Sequence, residues 1–169
     1  MWYPSNTIAG FFGPYRFLSN FYAAPQYTDG VWWPTNEHYF QFRKATTDLE
    51  YWKAEILKKE NASWAKHIGC YKIPIPSNWA DIKDDCMIEG LYRKFKIPRL
   101  RQLLIDTAPL ILIEENNWND TYWGMCRGKG LNRLGELLME VRENILMQGT
   151  HDEEHEEASK YHDFSADGF

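Results

Sequence analysis

Apolar residues recur at intervals of three and four along most of the chain after residue 34, which is the period of a helix with one buried face. In the middle of the chain, Ile82, Cys86 and Met87 are followed by Leu91 and Phe95 at this spacing. The pattern predicts a mainly α, multihelical fold. The predicted helices in this part of the chain span residues 48–61, 63–68, 81–95 and 98–106.

The last predicted helix begins near Asn132 and carries an apolar stripe formed by Leu134, Leu138, Val141 and Ile145. We expect it to end around residues 147–149, because the segment that follows is acidic and has few apolar side chains. The sequence therefore predicts one domain over residues 1–147 and a mobile acidic tail over residues 148–169.

The first 34 residues are rich in glycine, proline and aromatic residues and predict short strands. Asp29-Gly30 separates residues 25–27 from residues 31–33, which is typical of a β-hairpin turn. An uninterrupted stretch follows Thr35, so we expect Thr35 to cap a helix over residues 35–45. A short N-terminal hairpin is thus predicted ahead of the helical domain.

Composition adds a ligand cleft to this picture. The chain has 169 residues, the usual size of one domain, and 16% of them are aromatic, including eight Trp and ten Tyr. Because this exceeds what a small core needs, we expect aromatic side chains to line a pocket. Three widely spaced cysteines, no secretory signal and no apolar run of membrane-spanning length predict a cytoplasmic protein with reduced thiols and no membrane partner.

The net charge of −5 is concentrated in the tail. Residues 148–169 contain seven acidic residues against one lysine, which is −6, so the rest of the chain carries about +1. Five of the nine residues from 93 to 101 are Lys or Arg. The near-neutral body and this basic strip fit a small anionic ligand and leave nucleic acid open as a partner.

Glu37, Gln41 and Lys44 lie at i, i+4 and i+7 and share one face of the helix predicted after Thr35. This face is either solvated or part of a site. Glu37 falls in the first turn, where the helix dipole and unpaired N–H groups favour an ionised carboxylate. Such a group suits a general base or a counter-charge to a cationic transition state, with Gln41 beside it to bind substrate.

A second candidate lies between Asp120 and Asn132. Gly128, Lys129 and Gly130 lead into the last predicted helix, and a glycine backbone with a basic residue at a helix start can hold phosphate oxygens. The alternative is a tight loop that uses glycine for its dihedral freedom. Asp120 offers a second carboxylate, which glycoside cleavage commonly uses, unless it only caps a turn.

Trp79 and Trp123 lie outside the apolar stripes of the predicted helices. Aromatic side chains stack on bases with roughly 1–3 kcal/mol each, although most tryptophans belong to a core. The sequence has no HExxH motif and no paired cysteines, and outside the polar tail its histidines lack a partner at ligand spacing. We therefore expect neither a metal nor a cofactor.

Several motifs in series resemble the YbiA-like family, also called NADAR. The opening signature of that family is similar to residues 17–22, Asp29-Gly30, residues 37–41 and Lys44. The resemblance continues, in the family's order, through residues 65–69, Trp79, Met87, Lys94-Phe95, Glu114, residues 120–124, residues 130–135, Leu138-Met139 and Arg142. It covers about residues 10–147.

The resemblance implies a mostly helical fold and hydrolysis, without a metal, of the bond between ribose C1 and an amine nitrogen. Family members act on phosphorylated ribosylamine intermediates of riboflavin synthesis, and others remove ADP-ribose from guanine in nucleic acid. By resemblance the main site residues are Glu37, Trp79, Asp120 and Trp123. Further site residues implied in the same way are Arg16, Ser19, Asn20, Lys44 and Asn132.

A mechanism follows as a hypothesis. Glu37 stabilises the oxocarbenium ion that develops at ribose C1, or activates the attacking water. Asp120 assists as an acid or orients a hydroxyl, while Trp79 and Trp123 stack the heterocycle. In an alternative route Lys44 attacks C1 to form an imine, which requires burial to lower its pKa. A module that binds ADP-ribose or NAD without cleaving it is a further interpretation of the same residues.

Overall fold

The computed structural model describes the chain from residue 3 to residue 163, with side chains as far as residue 149. Helices dominate, as predicted. They are α1 (Asn36–Phe42), α2 (Leu49–Leu57), α3 (Ala62–Tyr71), α4 (Trp79–Lys94), α5 (Pro98–Ile105) and α6 (Arg133–Asp163), and a 3-10 helix spans Gly13–Leu18. The strands are β1 (Thr7–Ala9), β2 (Ala23–Thr28), β3 (Val31–Thr35), β4 (Ile111–Ile113), β5 (Glu115–Asn116) and β6 (Met125–Cys126).

Helix α1 begins where predicted and ends early. Thr35 is its N-cap, since the side-chain oxygen accepts a hydrogen bond from the backbone N–H of His38 at 3.3 Å. The N–H groups of Lys44 and Ala45 bond three residues back instead of four, so the last turn tightens. The helix therefore ends at Phe42 and not at Ala45.

Helix α1 lies between two apolar cores. Phe40 belongs to the larger one, which α4, α5, α6 and the segments around β1 and β4 build. The adjacent Tyr39 belongs to a smaller core with Trp33, Ile56 and Ile68 from β3, α2 and α3. Because neighbouring residues enter different cores, α1 has no solvated side, and six of its seven residues are buried.

Three pairs of strands hold the irregular segments in place. β2 and β3 pair antiparallel around Asp29-Gly30. β1 pairs with β4 in parallel, from Thr7 with Ile111 to Ala9 with Ile113, and β5 pairs with β6 in parallel. The two parallel pairs are not predicted by the sequence pattern, because strands of two or three residues are too short to show alternation. The β1–β4 pair brings residues 111–113 alongside the N-terminal segment, and the β5–β6 pair joins residues 115–116 to residues 125–126.

The predicted end of the last helix around residues 147–149 is wrong, because α6 continues to Asp163. The reason lies in the composition of residues 150–163, which contain four Glu, one Ala and one Lys, all good helix formers, and no Pro. The single glycine before them, Gly149, costs only about 1 kcal/mol in a helix. The end of the predicted tail, residues 164–169, lies outside the described residues. Between residues 3 and 163, no helix is long and apolar enough to cross a membrane.

Candidate active site

A cleft of about 590 Å³ opens beside the first turn of α1. Its walls come from the loop after the 3-10 helix, from α1, α3 and the start of α4, and from residues 114–123. Most of the predicted site residues meet here. Those that line the cleft are Arg16, Ser19, Asn20, Glu37, Gln41, Lys44, Trp79, Asp120 and Trp123.

Glu37 is held in the cleft wall by its own helix. Its backbone N–H donates to the carbonyl of Asn20 at 3.1 Å, and its Oε1 accepts a hydrogen bond from Nε2 of Gln41 at 2.7 Å. The residue is only 5% exposed, so the solvated-face alternative is wrong. Burial raises the pKa of Glu37, although Gln41 and the charges of Lys66 and Lys44 oppose the rise. The sequence pattern predicts that the helix start favours the ionised carboxylate. In the structure desolvation is the larger effect, and the pKa is raised.

Lys44 lies one turn beyond Gln41 and is 6% exposed. Its Nζ donates to the carbonyl of Gly69 at 3.1 Å and lies 4.0 Å from Sγ of Cys70. The amine also lies 5.7 Å from the ring centroid of Trp79. Burial lowers the pKa of Lys44, which is the condition that direct attack on C1 requires.

Two indole rings flank Phe40 at the cleft. The ring centroid of Phe40 lies 5.3 Å from Trp79 and 5.4 Å from Trp123, and the planes of Phe40 and Trp123 are 87° apart. Both tryptophans are half-buried, so each packs against the larger core and still faces the cleft. These tryptophans therefore contribute to the core and also line the cleft, while stacking on a heterocycle stays a prediction.

Asp120 stabilises a turn and also lines the cleft. Its Oδ1 accepts hydrogen bonds from the backbone N–H groups of Tyr122 at 3.2 Å and Trp123 at 2.9 Å. The side chain of Asn116 bonds both the N–H and the carbonyl of Asp120. One carboxylate oxygen thus fixes the loop, and the residue still lines the cleft.

Ser19 and Asn20 also line the cleft. The carbonyl of Ser19 accepts a hydrogen bond from Nζ of Lys94 at 2.7 Å. The side-chain oxygen of Asn20 accepts one from Nδ2 of Asn36 at 2.9 Å, and its own Nδ2 donates to the sulfur of Met87 at 3.2 Å. These contacts attach the wall to α1 and α4.

Gly128, Lys129, Gly130 and Asn132 do not line the cleft. The backbones of Cys126 and Lys129 bond each other in both directions, which closes a tight turn. The first N–H groups of α6 donate to the carbonyls of residues 122 and 123, so they are occupied by the chain itself. The side chain of Asn132 bonds the carbonyl of Leu112 in β4 and the N–H of Glu114, which lies between β4 and β5. The geometry matches the tight-loop alternative, and the N–H groups of Arg133 and Leu134 are already bonded to the chain itself.

The cleft also contains residues to which the sequence pattern assigns no role. They include Glu114 and Lys66, both of which occur in the motifs that resemble the YbiA-like family. Burial, reinforced by the charge of Asp120, raises the pKa of Glu114 to about 7. Phe12 and Trp118 line the cleft mouth and also a neighbouring hollow of about 620 Å³. The pairing of β5 with β6, which the sequence does not reveal, places this segment here.

The predicted basic strip over residues 93–101 is interrupted in the structure. Lys94 is fully buried, and Nη2 of Arg93 pairs with Oε1 of Glu89 at 2.6 Å. Burial lowers the pKa of Lys94 to about 7. One of the five cations is therefore buried and a second is paired with a carboxylate, which weakens the case for a continuous nucleic-acid surface here.

Comparisons with known proteins found a matching family model and several similar relatives. A NADAR domain is matched over residues 9–146. N-glycosidase YbiA of Escherichia coli is 40% identical over 149 residues, which covers 85% of this chain and 91% of that protein. A riboflavin biosynthesis protein of Vibrio vulnificus is 33% identical over 135 residues, which covers 76% of this chain and 35% of that protein. The NMR structure of Escherichia coli YbiA matches with a TM-score of 0.75 and covers 86% of this chain and 88% of that one.

The matched region contains every residue that lines the cleft. The name N-glycosidase, carried by the Escherichia coli relative over nearly its full length, favours an enzyme over a binding module. The chain belongs to the NADAR-domain family and is an N-glycosidase, a hydrolase that acts on N-glycosyl compounds.

Proposed function

We propose that this N-glycosidase hydrolyses the bond between ribose C1 and an amine nitrogen in phosphorylated ribosylamine intermediates of riboflavin synthesis. One observation carries the proposal: a single cleft brings together Glu37, Asp120 and Lys44 with the indole rings of Trp79 and Trp123. Its volume of about 590 Å³ suits a small substrate. The name of the Vibrio vulnificus relative supports the riboflavin assignment.

Glu37 has the environment of a general base. Its buried carboxyl has a raised pKa, and a base is most effective when its pKa approaches the working pH. Gln41 occupies Oε1, which leaves Oε2 to take a proton from the attacking water. In its ionised form the same buried group stabilises positive charge at ribose C1.

The remaining wall supplies contacts for the substrate. Trp79 and Trp123 offer faces for the heterocycle. Oε1 of Gln41 is buried without a hydrogen-bond partner within the described chain and suits a ribose hydroxyl as donor. Arg16 and Lys66 are cations of the cleft wall, and we assign the phosphate to them instead of to the Gly128–Lys129 turn.

Lys44 provides an alternative chemical route. Burial lowers its pKa, which favours the neutral amine that attack on C1 to form an imine requires. Borohydride added during turnover separates the routes. With Glu37 acting on water, we expect no stable adduct, whereas a reduced adduct on the peptide that contains Lys44 would establish the lysine route in its place.

The decisive experiment measures amine release from a ribosylaminopyrimidine phosphate by the wild type and by Glu37→Gln. Loss of a general base is expected to lower kcat by about 10²–10⁴-fold. Glu50→Gln is the matched control, because Glu50 also lies in the first turn of a helix but is exposed on α2. Full activity of Glu37→Gln would remove Glu37 from the reaction, and no release by the wild type would refute the proposed substrate.

A second substrate class is favoured by one observation. The hollow next to the cleft shares Phe12 and Trp118 with it, and these side chains are 60% and 52% exposed. Together the two spaces accommodate a longer ligand such as ADP-ribose attached to guanine. Release of ADP-ribose from an oligonucleotide that carries the modified guanine tests this class. A wild type that prefers the modified oligonucleotide over the ribosylamine phosphate, and a Phe12→Ala variant that loses this preference, would select the second substrate class.

A further inference from the structure

We propose that Glu114 is the proton donor to the leaving amine, a catalytic role separate from those of Glu37 and Asp120. The proposal rests on the function proposed above, because it concerns the same bond. Three observations carry it: Glu114 lines the cleft, its buried Oε2 has no hydrogen-bond partner among the described residues, and its backbone is fixed from two sides.

The carboxyl of Glu114 is not committed to the fold. Its Oε2 is buried and has no hydrogen-bond partner within the described residues. No ion pair to Glu114 exists in that part of the chain either, and Nζ of the nearby Lys94 donates to the carbonyl of Ser19. A buried carboxyl oxygen without a partner is rare in a folded protein and is expected to find one in a ligand.

The backbone of Glu114 is positioned more tightly than that of an ordinary loop residue. Its N–H donates to Oδ1 of Asn132 at 2.9 Å, and its carbonyl accepts from the N–H of Met125 at 2.8 Å. The same Asn132 donates through Nδ2 to the carbonyl of Leu112 at 2.9 Å. At Gly124, a Cβ atom would lie 2.2 Å from the carbonyl oxygen of Glu114 and 3.0 Å from its Cγ. Asn132 and Gly124 thus act as positioning residues for this side chain.

The surroundings of Glu114 favour its protonated form near neutral pH. Burial is the largest cause, and the negative charge of Asp120 adds to it, while the positive charges of Lys66 and Lys94 oppose it. The resulting pKa of about 7 lets the group hold a proton before the reaction and release it during the reaction. Glu37 and Asp120 are then free to act on the water.

The step balances without an added reactant. The C1–N bond breaks and its electron pair goes to nitrogen, which takes the proton of Glu114 and leaves as a neutral amine. The oxygen of water bonds to C1, and a proton of that water passes to the carboxylate of Glu37. Transfer of this proton to solvent and reprotonation of Glu114 restore the enzyme, so the net reaction consumes one water.

The test compares the wild type with Glu114→Gln on N-ribosyl 5-phosphates whose leaving amines differ in basicity. Without a proton donor, we expect kcat/KM to fall by about 10²–10⁴-fold for the poorest leaving groups and much less for the best. The wild-type rate is expected to fall as pH rises through about 7, where Glu114 loses its proton, and Glu114→Gln is expected to lack this decline. Glu140→Gln, exposed on α6, is the control and should behave as the wild type.

An equal loss for all leaving amines, or an unchanged alkaline decline in Glu114→Gln, would overturn the assignment. Glu114→Asp keeps the carboxyl and is expected to recover the alkaline decline at a lower rate, which a merely structural role of the side chain would not produce. Thermal melting of each variant checks the fold. If the wild type is inactive on these compounds, the proposed substrate is refuted. If the wild type is active and Glu114→Gln is unaffected, only the role of Glu114 as proton donor is refuted.

Discussion

Replacing Gly69 with alanine tests the packing that orients Glu37. Gly69 lies in α3 against α1, and a Cβ atom there would lie 2.0 Å from Oε1 of Gln41 and 2.7 Å from its Cβ. Real Cβ contacts are essentially never shorter than 3.0 Å, so the amide must move by about 1 Å. Rotation of the side chain does not relieve the second contact, because the Cβ of Gln41 is attached directly to α1.

The magnitude follows from these distances. A shift of about 1 Å lengthens the 2.7 Å bond between Gln41 and Glu37 beyond hydrogen-bonding range. Loss of a bond worth about 1.4 kcal/mol in the transition state lowers kcat about tenfold. Overpacking itself costs about 1–3 kcal/mol, which for a domain of this size lowers Tm by about 2–12 °C. The same displacement moves the carbonyl that accepts from Lys44.

The assay combines turnover of a ribosylamine phosphate with thermal melting. Gly149→Ala is the matched control, because Gly149 is also helical but a Cβ there meets nothing within 4 Å. It is expected to keep its activity and to gain about 0.4–1 kcal/mol of stability. If Gly69→Ala matches the wild type in both kcat and Tm, the contact between α1 and α3 does not orient the carboxylate.

Two further predictions concern Glu114 and its support. The substitution Asn132→Gly keeps the backbone freedom that the φ of 55° requires, but it removes both side-chain hydrogen bonds. We expect the free energy of urea unfolding to fall by about 1–3 kcal/mol and kcat to decrease. Unchanged values would show that the bonds to Glu114 and Leu112 are dispensable. The folded pKa of Glu114 lies above its unfolded value, so its contribution to stability is fully present below about 4.3 and is lost as pH rises through about 7. Urea unfolding of the wild type and of Glu114→Gln at several pH values measures how the free energy of unfolding depends on the ionisation of Glu114. If the two proteins show the same pH dependence, the pKa of Glu114 is not raised by folding.

The helices were predictable from the sequence because their signals are local. The apolar period marks α4 and the start of α6, and the pair of Thr35 with a following helical stretch marks the N-terminus of α1. The ends of the helices depend on hydrogen bonds within a single turn. At α1 these bonds tighten the last turn and shorten the helix by three residues relative to the prediction.

The site was predictable only in part, because several of its properties depend on distant contacts. The positions of Glu37 and Lys44 on one helix face follow from spacing, but the direction of their pKa shifts follows from burial between two cores. Glu114 enters the cleft through Asn132 and through the strand pair β5–β6, whose partners lie some ten residues apart in the chain. The glycines after Cys126 indicate close backbone contacts, but they do not indicate whether the partner is a phosphate or the chain itself.

The seven-residue helix α1 has a consequence for how the enzyme loses activity. A helix this short has no stability of its own in water and exists only because both cores enclose it. Damage to either side, even far from the substrate, therefore reaches Glu37 through the helix that carries it. Inactivation by heat or denaturant should coincide with unfolding of the domain, so catalytic activity reports on whether the protein is folded.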